Sequence, residues 1–113
     1  TGGELQIAGE KFSHGIGTHA HSEITYDLSG KEFRRFYSMV GHNDGGQDTY
    51  LTFEVHVDRE KVFDSGDMKK GQPAKVLDIS VEGADELKLV VTNGRDGKPE
   101  GDHADWGHAF LVK

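Results

Sequence analysis

Apolar residues recur at every second position in four segments, and this period constrains the fold more than any other feature. The segments are residues 24–28, 51–58, 77–81 and 87–91. A period of two predicts β-strands that turn one face to a core and the other to solvent. No window of ten or more residues carries the apolar stripe of an amphipathic helix. We therefore expect an all-β chain.

The intervening segments predict how these strands are connected. Residues 33–40 (FRRFYSMV) indicate a further strand with a less regular pattern, and residues 5–8 and 110–112 indicate short strands near the two ends. The polar link 58–60 (DRE) joins VHV to KVF and predicts a hairpin. Sixteen glycines and two prolines are typical of a chain with many turns. Seven or eight short strands joined in this way predict an antiparallel β-sandwich or jelly roll.

The bulk composition restricts the classes of partner. A length of 113 residues suits a single domain spanning residues 1–113. The absence of cysteine excludes disulfides, thiolate catalysis and cysteine-ligated zinc. A net charge of −7 argues against nucleic acid and anionic membranes as partners. The same charge suits a neutral ligand or a cation such as calcium.

Three segments interrupt the alternation, and each is rich in Gly, Asn, Asp and His. They are residues 13–21, 41–48 and 93–106, and the only tryptophan ends the third. Functional residues of a β-sandwich are usually found in loops that the scaffold holds in place. We therefore look for the functional site in these three segments, which we interpret as loops.

Two histidines in the first segment, His19 and His21, allow two interpretations. Residues two apart share one face of a strand, so both imidazoles could reach one metal ion. Such a pair begins the metal site of cupins, although the later glutamate spacing and the PxG segment of cupins are missing here. The alternative is that one histidine is buried and hydrogen-bonded while the other faces water.

The second segment, GHNDGGQD, is typical of turns. Its Asn and Asp oxygens also suit calcium, but it lacks the spacing of an EF-hand loop. We therefore favour turn chemistry here.

The end of the third segment carries groups that suit a sugar. Asp102 and His103 could hydrogen-bond sugar hydroxyls, and the indole of Trp106 could stack on the continuous apolar face of galactose. A single tryptophan in a small domain also suits core packing, and both readings stay open. The chain has no GxSxG, HExxH, Walker or GxGxxG motif, so we expect a non-catalytic binding domain.

Five stretches, read together and in order, resemble one family. They are GIGTHAHSEITYDL, FRRFYSMVGHNDG, VHVDREKVFDSG, ADELKLVV and DHADWGHAFL. They resemble the NPCBM family of carbohydrate-binding modules over residues 5–111, nearly the whole chain. The resemblance implies a galactose-binding-domain-like β-sandwich, appended to a secreted bacterial glycoside hydrolase, that recognises galactose-bearing glycans. It also implies that family domains begin with a further strand that this chain lacks.

The resemblance also assigns roles to individual residues. His19 falls on a motif position, where it either contacts the ligand or hydrogen-bonds the DHADW segment, whereas His21 falls on a variable, solvent-facing position. Arg95 is the only arginine in the loop that precedes DHADW. The sugar-contacting residues that we expect are His19, Asn43, Asp44, Arg95, Asp102, His103 and Trp106.

The resemblance further implies a structural calcium held by Asp102 or Asp105 together with loop carbonyls, and we expect a monomer. Two other functions stay open. One is a spacer or protein-interaction module that binds no sugar, and the other is a small metal-dependent enzyme of the cupin type.

Overall fold

The computed structural model describes residues 5–7, 10–12, 15–19, 21–44, 50–93 and 103–113, with the backbone alone at residues 5–7, 10–12, 19 and 103. These residues form ten strands: β1 Leu5–Ile7, β2 Glu10–Phe12, β3 Gly15–His19, β4 Ser22–Asp27, β5 Arg35–His42, β6 Tyr50–Val57, β7 Glu60–Lys69, β8 Lys75–Ser80, β9 Glu86–Thr92 and β10 His103–Val112. Within the same residues no helical segment has the length and apolar character needed to cross a membrane.

The strands form two four-stranded antiparallel sheets and one hairpin. The first sheet has the order β3–β10–β5–β8, the second has the order β4–β9–β6–β7, and β1 pairs with β2. The sheets pack face to face because each buries the apolar half of its alternating residues. The predicted antiparallel β-sandwich is confirmed.

The core lies between the two sheets and consists of the residues that set the period of two. Leu51, Phe53 and Val55 of β6 are fully buried, as is Leu87 of β9. Burial of one such side chain stabilises the fold by about 1.5–3 kcal/mol. The other large core side chains include Phe36, Val40, Met68, Leu77, Leu89, Val91 and Trp106.

The predicted hairpin between VHV and KVF is also confirmed. Asp58 and Arg59 form the two-residue turn between β6 and β7, with φ values of 50° and 70°. Positive φ at both central residues is the geometry of the type I′ turn, which matches the twist of the flanking strands. Asp58 Oδ1 also accepts the backbone N–H groups of Asp85 and Glu86 at 2.9 and 3.0 Å. This carboxylate therefore joins the hairpin to the start of β9.

The interpretation of the first and third segments as loops is wrong in part. Residues 15–19 form β3, and the DHADW segment belongs to β10 from His103 onward. The two strands pair with each other, from His103 opposite His19 to Gly107 opposite Gly15. Glycine and aspartate are weak strand formers, so local propensity favoured loops, and pairing between distant parts of the chain overrides it. The strand predicted at residues 33–40 likewise starts at Arg35 and continues to His42.

Candidate functional site

Three of the segments singled out in the sequence meet at one end of the first sheet. β10 lies between β3 and β5, and Ala104 is opposite Thr18 on one side and His42 on the other. Because both pairings are antiparallel, the end of β3, the end of β5 and the start of β10 lie together. We call this end of the sandwich, marked by His19, Asn43 and His103, the site end.

A buried hydrogen bond joins two of these segments. Asn43 Nδ2 donates to Asp105 Oδ2 at 2.6 Å, and the two residues are 8% and 1% exposed. A hydrogen bond to a carboxylate is stronger than one between neutral groups, and burial removes competition from water. The bond therefore fixes the chain that leaves β5 to the start of β10. The sequence reasoning placed Asn43 on the sugar and Asp105 on calcium and did not foresee that they bond to each other.

His42 supports the same turn from inside the sandwich. Its side chain is 1% exposed, and its Nδ1 lies 2.9 Å from the carbonyl oxygen of Asn43. Since a carbonyl only accepts, Nδ1 carries the proton in this contact. Sequence reasoning did not select His42. The available signal was its position on β5, two residues after the core residue Val40, which puts it on the inner face.

Of the two interpretations that the sequence leaves open for Trp106, the structure shows core packing. Trp106 is 0% exposed, and its ring lies 5.2 Å from that of Phe53 at an angle of 83°. This edge-to-face contact is typical of packed aromatic pairs. A side chain covered on both faces by protein cannot present a face to a sugar. Its Nε1 is buried without a hydrogen-bond partner among the described atoms.

The remaining predicted residues divide into three groups. Asp44 is half-buried directly after Asn43, so it lies at the site end. His19 and His103 lie opposite each other in the β3–β10 pairing, while their side chains are outside the described part of the structure. Arg95 and Asp102 lie outside the described residues altogether, so their roles stay predictions.

His21 is exposed, as the resemblance implied, and its Nε2 lies 3.1 Å from Glu23 Oε2. This hydrogen bond, followed by the charge of Lys88, lowers the pKa of Glu23 below its ordinary value. His21 thus belongs to the polar outer face of the second sheet. The alternative of a shared metal on His19 and His21 is not tested, because the side chain of His19 is not described.

The calcium that the resemblance implies stays a prediction, because Asp102 and the loop before it lie outside the described residues. One oxygen of Asp105 already accepts the amide of Asn43. In the described ranges, no three acidic or histidine side chains are grouped as a metal site would require.

Two open polar grooves lie at the opposite end of the sandwich. One, of about 540 Å³, is lined by Asp27, Asp58, Arg59 and neighbouring residues of β4 and β9, and the other, of about 420 Å³, follows the β4–β5 connection. Asp58 is already committed to the backbone of β9, and a hydrogen bond from Ser29 lowers the pKa of Asp27. The two carboxylates of the first groove thus both accept hydrogen bonds from neighbouring residues, and these bonds explain their positions without a ligand.

Comparison with known proteins identifies relatives over nearly the whole chain. The family model of the NPCBM/NEW2 domain matches residues 1–112. The structure is similar to that of a CBM51 module from Clostridium perfringens GH95 in complex with methyl-galactose. The two share 39% identity and a TM-score of 0.86, and the match covers 96% of this chain and 78% of that one. It is also similar to the CBM51-2 and INT domains of C. perfringens ZmpB in complex with GlcNAc, with 34% identity, a TM-score of 0.84 and coverage of 96% and 24%.

A curated relative places the same unit within a much longer protein. Alpha-1,3-galactosidase B of Akkermansia muciniphila is 34% identical over 104 residues, which are 90% of this chain and 13% of that protein. The chain thus spans a small fraction of the curated protein that it matches. In the structural relatives too, the matched part is a carbohydrate-binding module that accompanies other domains. The chain therefore belongs to the NPCBM/NEW2 domain family.

Proposed function

We propose that this domain is a non-catalytic carbohydrate-binding module that holds a terminal galactoside at the site end. The observation that carries the proposal is the meeting of β3, β5 and β10, braced by the buried bond between Asn43 and Asp105. A braced end with polar side chains around it suits a neutral, hydroxyl-rich ligand. The similar module from C. perfringens GH95 was solved with methyl-galactose, which supports galactose as the sugar.

The proposed contacts differ from those expected from sequence alone. Asn43 and Asp105 act as positioning residues because their polar groups are buried and bonded to each other. Hydroxyl contacts are assigned to Asp44 at the site end and to His19, Arg95, Asp102 and His103. A shallow site for one sugar gives a Kd in the millimolar to micromolar range, or about −4 to −8 kcal/mol.

The setting of the module is part of the same proposal. The module is proposed to be secreted, monomeric and joined in one polypeptide to a glycoside hydrolase. Its similarity to part of alpha-1,3-galactosidase B supports the last of these. A structural calcium held by Asp102 or Asp105 with loop carbonyls would make the loops rigid and take no part in chemistry. In this arrangement the module increases the local concentration of the enzyme on its glycan.

Calorimetry tests the assignment. Methyl galactoside, lactose and N-acetylgalactosamine are titrated into the folded domain, and at least one is expected to bind. Asp44→Ala should weaken binding several-fold, whereas Glu82→Ala, an exposed carboxylate at the opposite end, should not change it. Absence of heat with every galactoside would refute the proposal and leave the spacer or protein-interaction function. Equal effects of the two substitutions would place the sugar elsewhere.

A further inference from the structure

The outer faces of the two sheets differ in character. On the second sheet, exposed charges are paired, either across strands, as in Glu23 with Lys88 at 3.7 Å, or along one strand, as in Lys61 with Asp64 of β7 at 3.0 Å. On the first sheet, three large apolar side chains are exposed, Val76 at 71%, Phe110 at 52% and Val112 at 37%, against Val62 at 46% on the second sheet. A solvent-facing sheet surface is ordinarily polar, so an apolar cluster on only one face indicates a contact surface.

Two aromatic rings form the centre of this apolar face. Phe110 of β10 lies opposite Tyr37 of β5, with ring centroids 5.2 Å apart and planes 33° apart. On the next strand, Val76 of β8 lies opposite Met39, two residues along β5 from Tyr37. We call Tyr37, Met39, Val76 and Phe110 the aromatic platform.

A polar pair borders the aromatic platform on the same face. Asp78 of β8 lies opposite Tyr37, and Arg35 lies two residues before Tyr37 on β5. Arg35 Nε donates to Asp78 Oδ1 at 2.6 Å, and the two side chains are 41% and 54% exposed. A guanidinium and a carboxylate held side by side offer donors and acceptors next to an apolar surface.

An irregularity in β10 turns Phe110 to this face. Between Gly107 and Phe110 the chain advances three residues while β5 advances only two, from Met39 to Tyr37. The extra residue reverses the alternation, since Phe110 would otherwise point to the core with Ala104 and Trp106. His108 within the bulge has a φ of 49°, a conformation that non-glycine residues rarely adopt. The chain thus accepts backbone strain in a segment that exposes an aromatic ring.

The size and chemistry of the platform favour a sugar over a protein partner. A stable protein interface buries roughly 800 Å² on each partner and involves about 20–30 residues a side. The platform, its polar border and the adjacent Val112 comprise seven side chains, which is far fewer than such an interface involves and suits one or two pyranose rings. Aromatic faces receive the apolar C–H face of a pyranose, and neighbouring charged groups hydrogen-bond its hydroxyls.

We propose that the aromatic platform is a second carbohydrate-contact surface, separate from the site end, that binds a pyranose ring within a glycan chain. It goes beyond the galactoside site because it lies on the flat face of the first sheet and not at the end of its strands. Two weak surfaces on one module raise the avidity for a polymeric glycan without any increase in either affinity.

Amide NMR titration of the wild-type domain tests the proposal without relying on any variant. The probes are methyl galactoside and a linear tetrasaccharide of alternating galactose and N-acetylglucosamine. The tetrasaccharide should shift Tyr37, Val76 and Phe110 in a saturable way. Shifts at Asp44 report the site end independently. Shifts at Asp44 alone would overturn the second surface and leave the galactoside site, whereas shifts at the platform alone would do the reverse.

Substitutions then separate ring stacking from general hydrophobicity. Phe110→Tyr retains an aromatic face and should keep the affinity of the platform, whereas Phe110→Leu retains apolar area and should weaken it at least fivefold. Val62→Ala removes an exposed apolar side chain from β7 of the second sheet and is the matched control with no expected effect. Equal binding by the Tyr and Leu variants would overturn stacking. Ligand-free self-association that Phe110→Leu abolishes would show that the face binds a second copy instead.

Discussion

The bond between Asn43 and Asp105 is the contact on which the proposed site most depends, and Asn43→Ala removes its donor. The substitution leaves the Asp105 carboxylate 1% exposed and without the amide that lies 2.6 Å from it. Removing a hydrogen bond to a buried charged group costs about 1.5–3 kcal/mol, most of which is the desolvation of the remaining partner. We therefore expect the free energy of unfolding to fall by about 2 kcal/mol.

This loss translates into a clear shift of the melting temperature. The entropy of unfolding per residue implies that each kcal/mol lowers the Tm of a 113-residue chain by about 4 °C. Asn43→Ala should therefore melt about 8 °C below the wild type. Because the bond connects β5 to β10 at the site end, the variant should also bind methyl galactoside more weakly at temperatures where it is fully folded.

Urea denaturation and calorimetric melting measure the stability, and titration calorimetry at 15 °C measures the binding. Thr52→Val is the matched control, because Thr52 Oγ1 donates to the Asp67 carboxylate at 3.2 Å on an exposed surface and valine keeps the β-branched shape. Exposed pairs contribute little, so this variant should lose less than about 0.5 kcal/mol. If Asn43→Ala costs no more than Thr52→Val, the buried bond does not brace the site end.

Three further predictions follow from other residues. Trp106→Phe should lower the Tm but leave galactoside affinity unchanged in the folded fraction. In the wild type, sugar should not shift the fluorescence emission of Trp106, and a sugar-dependent shift would support the stacking role instead. Hydrogen bonds from Gly66 N–H and Lys61 hold the pKa of Asp64 below its ordinary value, so its contribution is present above about pH 4 and is lost as the pH falls through its folded-state pKa. Asp64→Asn should therefore cost about a few tenths of a kcal/mol at pH 7 and less at pH 2, as measured by urea denaturation. An equal cost at both pH values would contradict this. If calcium binds with ligands such as Asp102, a free calcium concentration 100-fold above its Kd stabilises the fold by about 2.7 kcal/mol. Chelation should therefore lower the Tm by about 10 °C. An unchanged Tm would rule the ion out.

The fold was predictable because its core follows one simple rule. In β6, Leu51, Phe53 and Val55 are buried and the residues between them are not, so the sequence pattern and the burial pattern coincide. β5 was harder to read because Ser38 and His42 occupy inner positions. Both are satisfied by backbone carbonyls, Ser38 by Gly107 and His42 by Asn43. A polar residue on an inner face weakens the sequence signal while leaving the packing intact.

The site was less predictable because its strands depend on distant partners. β3 contains Gly15 and Gly17, which disfavour a strand by themselves. Residues 15–19 form a strand through their pairing with β10, almost ninety residues further along the chain. Once the DHADW segment is interpreted as a loop, Trp106 is free to be assigned to ligand. Trp106 lies in the core because residues 103–112 form β10, a strand that the local sequence does not predict.

The opposite positions of Asp105 and Trp106 are two consequences of one register. Adjacent residues of a strand point to opposite faces, so a β10 that buries Trp106 against Phe53 must direct Asp105 to the other face, where Asn43 meets it. A slip of one residue would exchange them, removing the indole from the core and placing a carboxylate there. The cost of either change makes the register strongly specified. The burial of Trp106 therefore helps to position the site end, although Trp106 itself lies in the core. The DHADW motif, which the sequence suggested as a set of ligand contacts, acts in part by aligning β10 between β3 and β5.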